Sequence, residues 1–212
     1  MCSCNSRAAQ GCDVSVRLFA DDTLFLQRFL KSCGFPINGV DGAPSGDTDD
    51  ALADFEGQTE LIAAELGVFD KISERNIRTL HPRAQRAARE FLTRLHDAGF
   101  TTRIISGTRT YAEQDALFRK GRFGNPPPRV TNARGGQSNH NFGIAWDIGI
   151  FKNGAYVPSS PLYDEVAAVG KVPGIEWGGD WTSFADPPHY QLATGSQLSI
   201  LRQSFEAGAV YL

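Results

Sequence analysis

The chain has 212 residues, of which 41% are hydrophobic and 21% charged, and its formal net charge at pH 7 is −3. A chain of this length forms one domain or two small ones. No run approaches the roughly 20 apolar residues that span a bilayer, so an integral membrane protein is excluded. The first residues lack the apolar stretch of a signal peptide, which predicts no Sec-type export from this end. The acidic balance disfavours nucleic acid as a partner.

The charge is divided unevenly along the chain. Residues 1–70 contain 12 Asp and Glu but only 4 Lys and Arg, a net charge of −8. Residues 71–212 contain 12 acidic and 17 basic side chains, a net charge of +5. A sign change of this size indicates two modules with different surfaces. No C-x-x-C metal spacing is present, and no role is predicted for Cys2, Cys4, Cys12 and Cys33.

The first part of the chain has a helical pattern. Apolar side chains from Leu26 to Cys33 recur with helical spacing, and Asp21 and Asp22 are placed to cap that helix. Gly34 is placed to end it. A second helix is predicted from position 48, and a short third one over residues 73–80. Together these elements predict a small helical bundle.

Residues 20–79 also share a pattern with a known module. Its positions are Leu26, Gln27, Leu30, Gly34, Val40, Asp41, Gly42, Gly46, Thr48, Ala51, Leu52 and Phe55. The pattern resembles small three-helix peptidoglycan-binding domains, which implies binding to cell-wall polymer. The loop after Gly42 departs from it, because Ala43-Pro44-Ser45 stands where an aromatic residue and Gly are usual. The alternative is a helical cap on the next domain, without a ligand.

From position 81 the pattern predicts an α+β domain. Pro82 suits the first turn of a helix that Gly99 ends. A long loop rich in Gly, Pro and Arg covers residues 121–137, and such loops often border a site. A hairpin turn is predicted at Asn153-Gly154. The remaining predicted elements are strands 101–105, 144–151 and 189–192 and helices 111–120, 162–169 and 196–207.

Four histidines define the chemistry that the sequence can support. His81 and His96 belong to one helix and are read as surface or capping residues. His140 ends the Gly-rich loop, Asp147 follows seven residues later on a predicted strand, and His189 opens another strand. Two imidazoles and a carboxylate form the three-ligand set of catalytic zinc sites, which leave the fourth position for water. By spacing alone, the same residues also fit structural roles.

A carboxylate outside such a ligand set can serve as a general base. It accepts a proton from the attacking water and returns it to the leaving amine. Asp186, three residues before His189, is the candidate for this role.

An ordered series of motifs continues through the second part. It comprises Ser106-Gly107-Thr108-Arg109-Thr110, Glu113-Gln114, Leu117-Phe118, Gly121, Val130-Thr131, Gly135-Gly136-Gln137-Ser138, His140-Asn141-Phe142-Gly143-Ile144-Ala145-Trp146-Asp147, Trp177-Gly178-Gly179-Asp180-Trp181, Phe184, Asp186 and Pro188-His189-Tyr190. Over residues 80–195 the series closely resembles the peptidase M15 family. Asp186 stands where the dipeptidase and D,D-carboxypeptidase branches carry Glu. This resembles the L-alanyl-D-glutamate endopeptidase branch, which includes phage endolysins.

The resemblance implies a division of the chain and a ligand set. Residues 80–212 would form an α+β zinc-peptidase domain with a small antiparallel sheet and flanking helices, preceded by a tail over 1–19 and the helical module over 20–79. One zinc ion per chain would be bound by His140, Asp147 and His189. Zinc is itself an inference, because this ligand set accepts other divalent ions.

The resemblance also implies roles for the neighbouring side chains. Asp186 would be the catalytic base, and Arg109 would steady a substrate carbonyl or carboxylate, as guanidinium donors can. Ser138 and Gln114 would bind substrate. The alternatives are a structural ion pair for Arg109, and packing roles for Ser138 and Gln114.

These inferences predict a zinc-dependent peptidoglycan hydrolase that cuts the L-Ala-D-Glu bond of the stem peptide. The alternatives are a D,D-carboxypeptidase that removes terminal D-Ala, and a zinc-stabilised wall-binding module without turnover. Peptidoglycan is the expected partner, with no nucleic acid and no membrane insertion. The protein would act in the periplasm or at the cell wall, released by phage lysis or delivered by a secretion system. Delivery as an effector would add an immunity protein as a partner.

Overall fold

The computed structural model of the protein describes residues 18–212. Nearly all of the predicted tail, with Cys2, Cys4 and Cys12, lies outside the described residues. Within them no helix is both long and apolar enough to cross a membrane. The helices are α1 Thr23–Ser32, α2 Gly46–Leu66, α3 Lys71–Ile77, α4 Pro82–Asp97, α5 Tyr111–Arg119, α6 Leu162–Gly170 and α7 Leu198–Glu206. The strands are β1 Thr102–Ser106, β2 Ala145–Lys152, β3 Ala155–Val157, β4 Ile175–Trp177 and β5 His189–Leu192.

Most elements lie where the sequence predicts them. The Asp22 carboxylate caps α1 by accepting a hydrogen bond from the Phe25 amide at 2.9 Å. Pro82 begins α4, and Asn153 turns the chain from β2 into β3. Two differences stand out: α2 begins at Gly46, before position 48, and the short strand β4 was not predicted. Three-residue strands carry too little alternation to be recognised in a sequence.

The strands form one antiparallel sheet with the order β1-β2-β5-β4, and β3 pairs with β2. The predicted α+β class with a small antiparallel sheet is confirmed. In the central pair, Asp147 of β2 lies opposite His189 of β5, and Trp146 lies opposite Tyr190. Because side chains alternate along a strand, Trp146 and Tyr190 enter the core while Asp147 and His189 share the other face. The sheet register thus brings a carboxylate and an imidazole together.

Two apolar clusters stabilise the fold, and each crosses the predicted boundary at position 80. The first cluster packs α4 and α6 against one face of the sheet and includes Ile77 of α3. The second packs α1 and the start of α2 against α7, and includes Phe142 and Ile144 from the second part of the chain. The division into residues 20–79 and 80–212 stays a prediction. The two segments share their buried side chains.

A buried ion pair joins α3 to α4. Arg89 is fully buried, and its guanidinium donates to both carboxylate oxygens of Glu74, at 2.6 and 2.9 Å. The same guanidinium donates to the Gly67 carbonyl at 2.7 Å, and the Phe69 amide donates to Glu74 at 2.8 Å. Burial alone would raise the pKa of Glu74, but the hydrogen bond from Arg89 and that of the Phe69 amide hold it below its usual value.

Candidate metal centre

Three ligand atoms from distant parts of the chain converge on one point. The Nε2 atom of His140 lies 3.1 Å from Oδ1 of Asp147 and 3.1 Å from Nδ1 of His189. The third distance, between His189 Nδ1 and Asp147 Oδ1, is 3.2 Å. Zinc–nitrogen bonds of about 2.0–2.1 Å place two tetrahedral ligands roughly 3.3 Å apart. The spacing of the three atoms therefore fits the ligand set of a single metal ion, as the sequence predicts.

A short 3₁₀ helix, Asn139–Phe142, positions His140 at the end of the long loop. Gly143 ends this helix with a φ of +68°, a conformation that favours glycine. A Cβ at this position would lie 2.7 Å from the Phe29 ring of α1 and 3.0 Å from the amide of His81. Glycine is thus required both by the turn and by the close approach of α1, which connects the first helix to the metal centre.

The outward-facing nitrogen of each imidazole is held by a hydrogen bond. Nδ1 of His140 lies 2.8 Å from the Gly107 carbonyl, and Nε2 of His189 lies 2.9 Å from Oε1 of Gln191. Because both partners are acceptors, these nitrogens carry the protons of the neutral rings. The lone pairs of His140 Nε2 and His189 Nδ1 then point toward Asp147, where three electron-pair donors meet. Such a cluster is stabilised by a cation, which is the arrangement found around metal ions.

The support of His189 extends through three residues that the sequence analysis did not single out. The amide nitrogen of Gln191 donates to the Glu176 carboxylate at 2.7 Å, which fixes Oε1 toward the imidazole. Asn139 donates to the same oxygen at 2.6 Å. Gln191 follows His189 by two residues on β5 and so lies on the same face of the sheet. That alternation is the signal that could have identified it; nothing in the sequence pairs it with Glu176.

The charges of the site agree with a cation-binding role. Burial lowers the pKa of His140 to about 4, which keeps this imidazole neutral and able to bind a metal. Burial alone would raise the pKa of Asp147, but the charge and hydrogen bonds of the two histidine rings, in their protonated forms, outweigh it and hold the pKa well below its usual range. Burial alone would lower the pKa of His189, but Asp147 accepts a hydrogen bond from the protonated ring and so raises the pKa above the usual value. A metal ion would compete with protons for this position.

Asp186 lies beside the cluster but outside its three ligand atoms. Its amide donates to the Gly178 carbonyl at 2.9 Å, and its carbonyl accepts from the His189 amide at 3.0 Å. A Cβ on Gly178 would lie 2.5 Å from the Asp186 carbonyl oxygen, so only glycine allows this close packing. Burial, together with the nearby charge of Asp147, raises the pKa of the Asp186 carboxyl. The position suits a base next to a bound water.

Arg109 lies on the other side of Asp147. A capping box between Thr110 and Glu113 starts α5 directly after it, which fixes its backbone. Its Nη1 atom donates to Oδ2 of Asp147 at 3.3 Å and to the Ser106 hydroxyl at 2.9 Å. The alternative of an ion pair is therefore observed, and its partner is a predicted ligand residue. The contact of Arg109 with substrate stays a prediction.

Gln114 and Ser138 have different surroundings. Gln114 is fully buried: its Oε1 accepts from Nε of Arg109 at 3.0 Å, and its amide nitrogen donates to the Ala133 carbonyl at 2.9 Å. The geometry gives Gln114 a role in orienting Arg109 and tying down the loop. Ser138 is half-buried and immediately precedes the 3₁₀ helix of His140. Substrate binding by these two residues stays a prediction.

An aromatic ring borders the centre on its solvent side. Trp181 packs against His189 with ring centroids 4.9 Å apart and is 37% exposed. The predicted motif contained Trp181, but its contact with a ligand residue became visible only in the folded chain.

The other two histidines are not part of the centre. His81 caps α4, because its Nδ1 accepts from the Arg83 amide at 3.2 Å, and burial lowers its pKa to about 4. It is buried, so of the two readings only capping is confirmed. His96 is exposed, and its Nε2 lies 2.9 Å from the Thr102 carbonyl.

Three converging ligand atoms on a small antiparallel sheet, with a carboxylate and an arginine beside them, form a site of the kind that metal-dependent hydrolases use. The sequence model of one M15 peptidase family, which is described as D-alanyl-D-alanine carboxypeptidase, matches residues 131–192 of the chain. The chain is also 36% identical over 125 residues to peptidoglycan L-alanyl-D-glutamate endopeptidase CwlK of Bacillus subtilis (strain 168), covering 53% of this chain and 73% of that protein. The chain belongs to the peptidase M15 family and is a peptidase, which confirms the family predicted from the motifs.

Solved structures of two enzymes have similar folds in part. The Serratia marcescens L-Ala D-Glu endopeptidase ChiX is 26% identical, with a TM-score of 0.46 over 60% of this chain and 90% of that one. A mutant of the vancomycin resistance D,D-pentapeptidase VanY from the VanB-type resistance cassette, in complex with Zn(II), is 17% identical. Its TM-score is 0.41, over 62% of this chain and 81% of that one.

Proposed function

We propose that the protein is a zinc-dependent peptidoglycan hydrolase that cleaves the stem peptide at the L-Ala-D-Glu bond. The observation that carries this proposal is the convergence of His140, Asp147 and His189 at distances of 3.1–3.2 Å. The similarity to CwlK, named as an L-alanyl-D-glutamate endopeptidase, supports the choice of bond. An Asp at position 186 supports the same branch of the family.

Zinc would be held by two imidazole nitrogens and one carboxylate oxygen, the donor types that it accepts in catalytic sites. Bound there, it supplies a lowered water pKa, near 7, and polarisation of the substrate carbonyl. The protein contributes the orientation of the ligands. Gly107 and Gln191 fix the two rings, and Arg109 holds the second oxygen of Asp147.

The support from Gln191 predicts a measurable effect on metal affinity. We expect Gln191→Met to weaken zinc binding by about 10–100-fold, because the ring of His189 loses the acceptor that fixes it. Competition with a chelator of known affinity measures this directly, without reference to activity. Gln203→Met is the matched control, since Gln203 is exposed on α7. Equal affinities of the two variants would show that Gln191 has no positioning role.

Asp186 would transfer a proton from the attacking water to the leaving amine. As a carboxylate it takes a proton from the attacking water while the oxygen joins the peptide carbonyl carbon. As the carbon–nitrogen bond breaks, the same carboxyl returns that proton to the leaving amine. The second proton of the water passes from the new carboxyl group to the new amine, so the products are a carboxylate and an ammonium group, and Asp186 regains its charge. Its half-buried position keeps competing water away from one side of the group.

Arg109 would stabilise negative charge on the substrate. Its Nε and Nη1 atoms are already bonded to Gln114, Ser106 and Asp147, which fixes the plane of the guanidinium. Its Nη2 has no hydrogen bond to the described residues and would donate to the developing oxyanion or to a substrate carboxylate. Ser138, next to His140, would contact substrate, and Gln114 would act through Arg109.

The remaining parts of the proposal concern the wall. Residues 20–79 would hold the enzyme on peptidoglycan, which raises the local concentration of substrate. The site of action would be the periplasm or cell wall, reached by phage lysis or through a secretion system. An immunity protein would be a partner in the second case only.

A D,D-carboxypeptidase is the second candidate, favoured by the description of the family model that matches residues 131–192. Digestion of purified peptidoglycan, with and without chelator, followed by mass spectrometry distinguishes the two. We expect peptides with new N-terminal D-Glu, lost with chelator and restored by zinc. Release of free D-Ala in their place would assign the carboxypeptidase. No release of either product would contradict both.

A further inference from the structure

A cluster of unpaired cations borders the metal centre and has no part in the reaction described above. Between Asp115 and Asp147 the sequence has no Asp or Glu but five basic residues. None of the five forms an ion pair with a carboxylate in the part of the chain that the structure describes. We name this cluster the basic loop, consisting of Arg119, Lys120, Arg122, Arg129 and Arg134.

The basic loop is attached to the catalytic side of the molecule. Gln114, which orients Arg109, donates to the Ala133 carbonyl at 2.9 Å. At the other end, the Gly136 amide donates to Asn141, the residue after His140, at 3.0 Å. These contacts hold the loop beside Arg109 and His140. A polymer whose peptide enters the metal centre would therefore extend along this surface.

Two of the cations are held close together. The guanidinium of Arg122 lies 4.1 Å from the centroid of the Phe118 ring, and that of Arg134 lies 4.8 Å from it. The two guanidinium carbons are thus at most 8.9 Å apart, the sum of these distances. This is within the screening length of about 8–10 Å at physiological salt, so the charges repel. An anion between or beside them would relieve that repulsion.

The same surface displays an aromatic ring. Phe123 is 75% exposed, and its φ of 54° is unusual for a residue other than glycine. Its ring centroid lies 6.4 Å from that of Phe118, the ring that Arg122 and Arg134 contact. Arg119, Lys120 and Arg129 are exposed in the same segment of the chain. An exposed ring among cations is suited to a polymer that alternates apolar sugar faces with carboxylates.

We propose that the basic loop binds the peptidoglycan strand beyond the cleaved bond, through carboxylates of its stem peptides. This inference rests on the proposed function for the identity of the polymer. It assigns to the loop the capture of the polymer, and leaves the chemical step to the metal centre. The proposal implies that the affinity of the enzyme for the polymer falls as the salt concentration rises. The affinity for a short substrate, which does not reach the loop, does not depend on salt in this way.

The test removes three exposed charges that form no ion pair, Arg119→Gln, Lys120→Gln and Arg129→Gln together. The matched control removes three exposed charges elsewhere, Lys71→Gln, Arg75→Gln and Lys152→Gln. Each protein is assayed on intact sacculi and on a short soluble stem peptide at several salt concentrations. We expect the loop variant to need about tenfold more sacculi for half-maximal rate, a loss typical of removed electrostatic attraction. Its rate on the short peptide stays within about twofold, and the control stays near wild type.

Three outcomes would overturn the proposal: unchanged use of sacculi by the loop variant, equal losses in both triple variants, or an equal loss on both substrates. The last would place the loop in the catalytic step. If the wild type cleaves neither substrate, the proposed function fails. Pelleting of the three proteins with sacculi then still decides whether the basic loop binds this polymer.

Discussion

Asp186→Asn is expected to lower kcat on peptidoglycan about 10³-fold while leaving the zinc content of the protein unchanged. The side chain keeps its size, but an amide cannot accept the proton of the attacking water, and general acid–base catalysis contributes about 10²–10⁴-fold. Zinc should stay bound because the three converging ligand atoms belong to other residues. Steady-state rates and metal analysis of the same preparation measure both quantities.

Asp180→Asn is the control for this variant. Asp180 lies in the same segment of the chain, but its carboxylate is 53% exposed and pairs with Lys171 at 2.6 Å. We expect its rate to stay within about twofold of wild type, since an exposed pair contributes little. An Asp186→Asn enzyme that retained more than a third of the wild-type rate would show that another group carries the proton. Loss of zinc from that variant would instead make Asp186 a ligand.

The sequence was enough to name the side chains of the candidate metal centre, but not to show how the fold brings them together. His140, Asp147, His189 and Asp186 could be named because the motifs that contain them resemble the peptidase M15 family; by spacing alone they also fit structural roles. The structure adds that β2 and β5 are neighbours, which places Asp147 opposite His189. This pairing joins segments 42 residues apart, and local periodicity carries no information about such contacts.

The hydrogen-bond partners of the metal ligands were harder to predict from the sequence than the ligands themselves. Gln191 lies on the same strand face as His189, yet its partner Glu176 is on β4, a strand too short to be predicted. The family resemblance implies a substrate contact for Gln114, which stays a prediction. The sequence could not show that the fold buries this residue and directs its oxygen to the guanidinium of Arg109. Burial and direction of a side chain depend on tertiary packing, which a motif does not specify.

The contacts between residues 20–79 and residues 80–212 could not be predicted from the sequence either. The sign change of charge and the family patterns indicated a boundary near position 80. Phe25 and Phe29 of α1 are nonetheless buried in the same cluster as Leu201 and Phe205 of α7. Each of these helices has an apolar face that the sequence reveals, but only the fold shows which faces meet.

The second large effect is expected from the buried pair between α3 and α4. Arg89→Met removes the cation and leaves the Glu74 carboxylate buried without it, which costs about 3–5 kcal/mol of unfolding free energy. For a chain of this size we expect a melting temperature lower by roughly 10 °C. Arg86→Met is the control: its pair with Glu65 is about half exposed, at 2.6 Å, and its loss should cost no more than about 1 kcal/mol.

The pH dependence of the stability difference between wild type and Arg89→Met tests whether the lost ion pair is its cause. Because Arg89 holds the pKa of folded Glu74 below its ordinary value of 4.5, the pair stabilises the protein fully above that pH. Its contribution disappears as the pH falls through the folded pKa, where Glu74 becomes protonated. Denaturant unfolding of wild type and Arg89→Met should therefore differ most near neutral pH and converge in acid. Replacing Glu74 by Leu as well should recover much of the loss, since no buried charge then remains. A constant difference at all pH values would indicate lost packing of the Arg89 side chain as its cause.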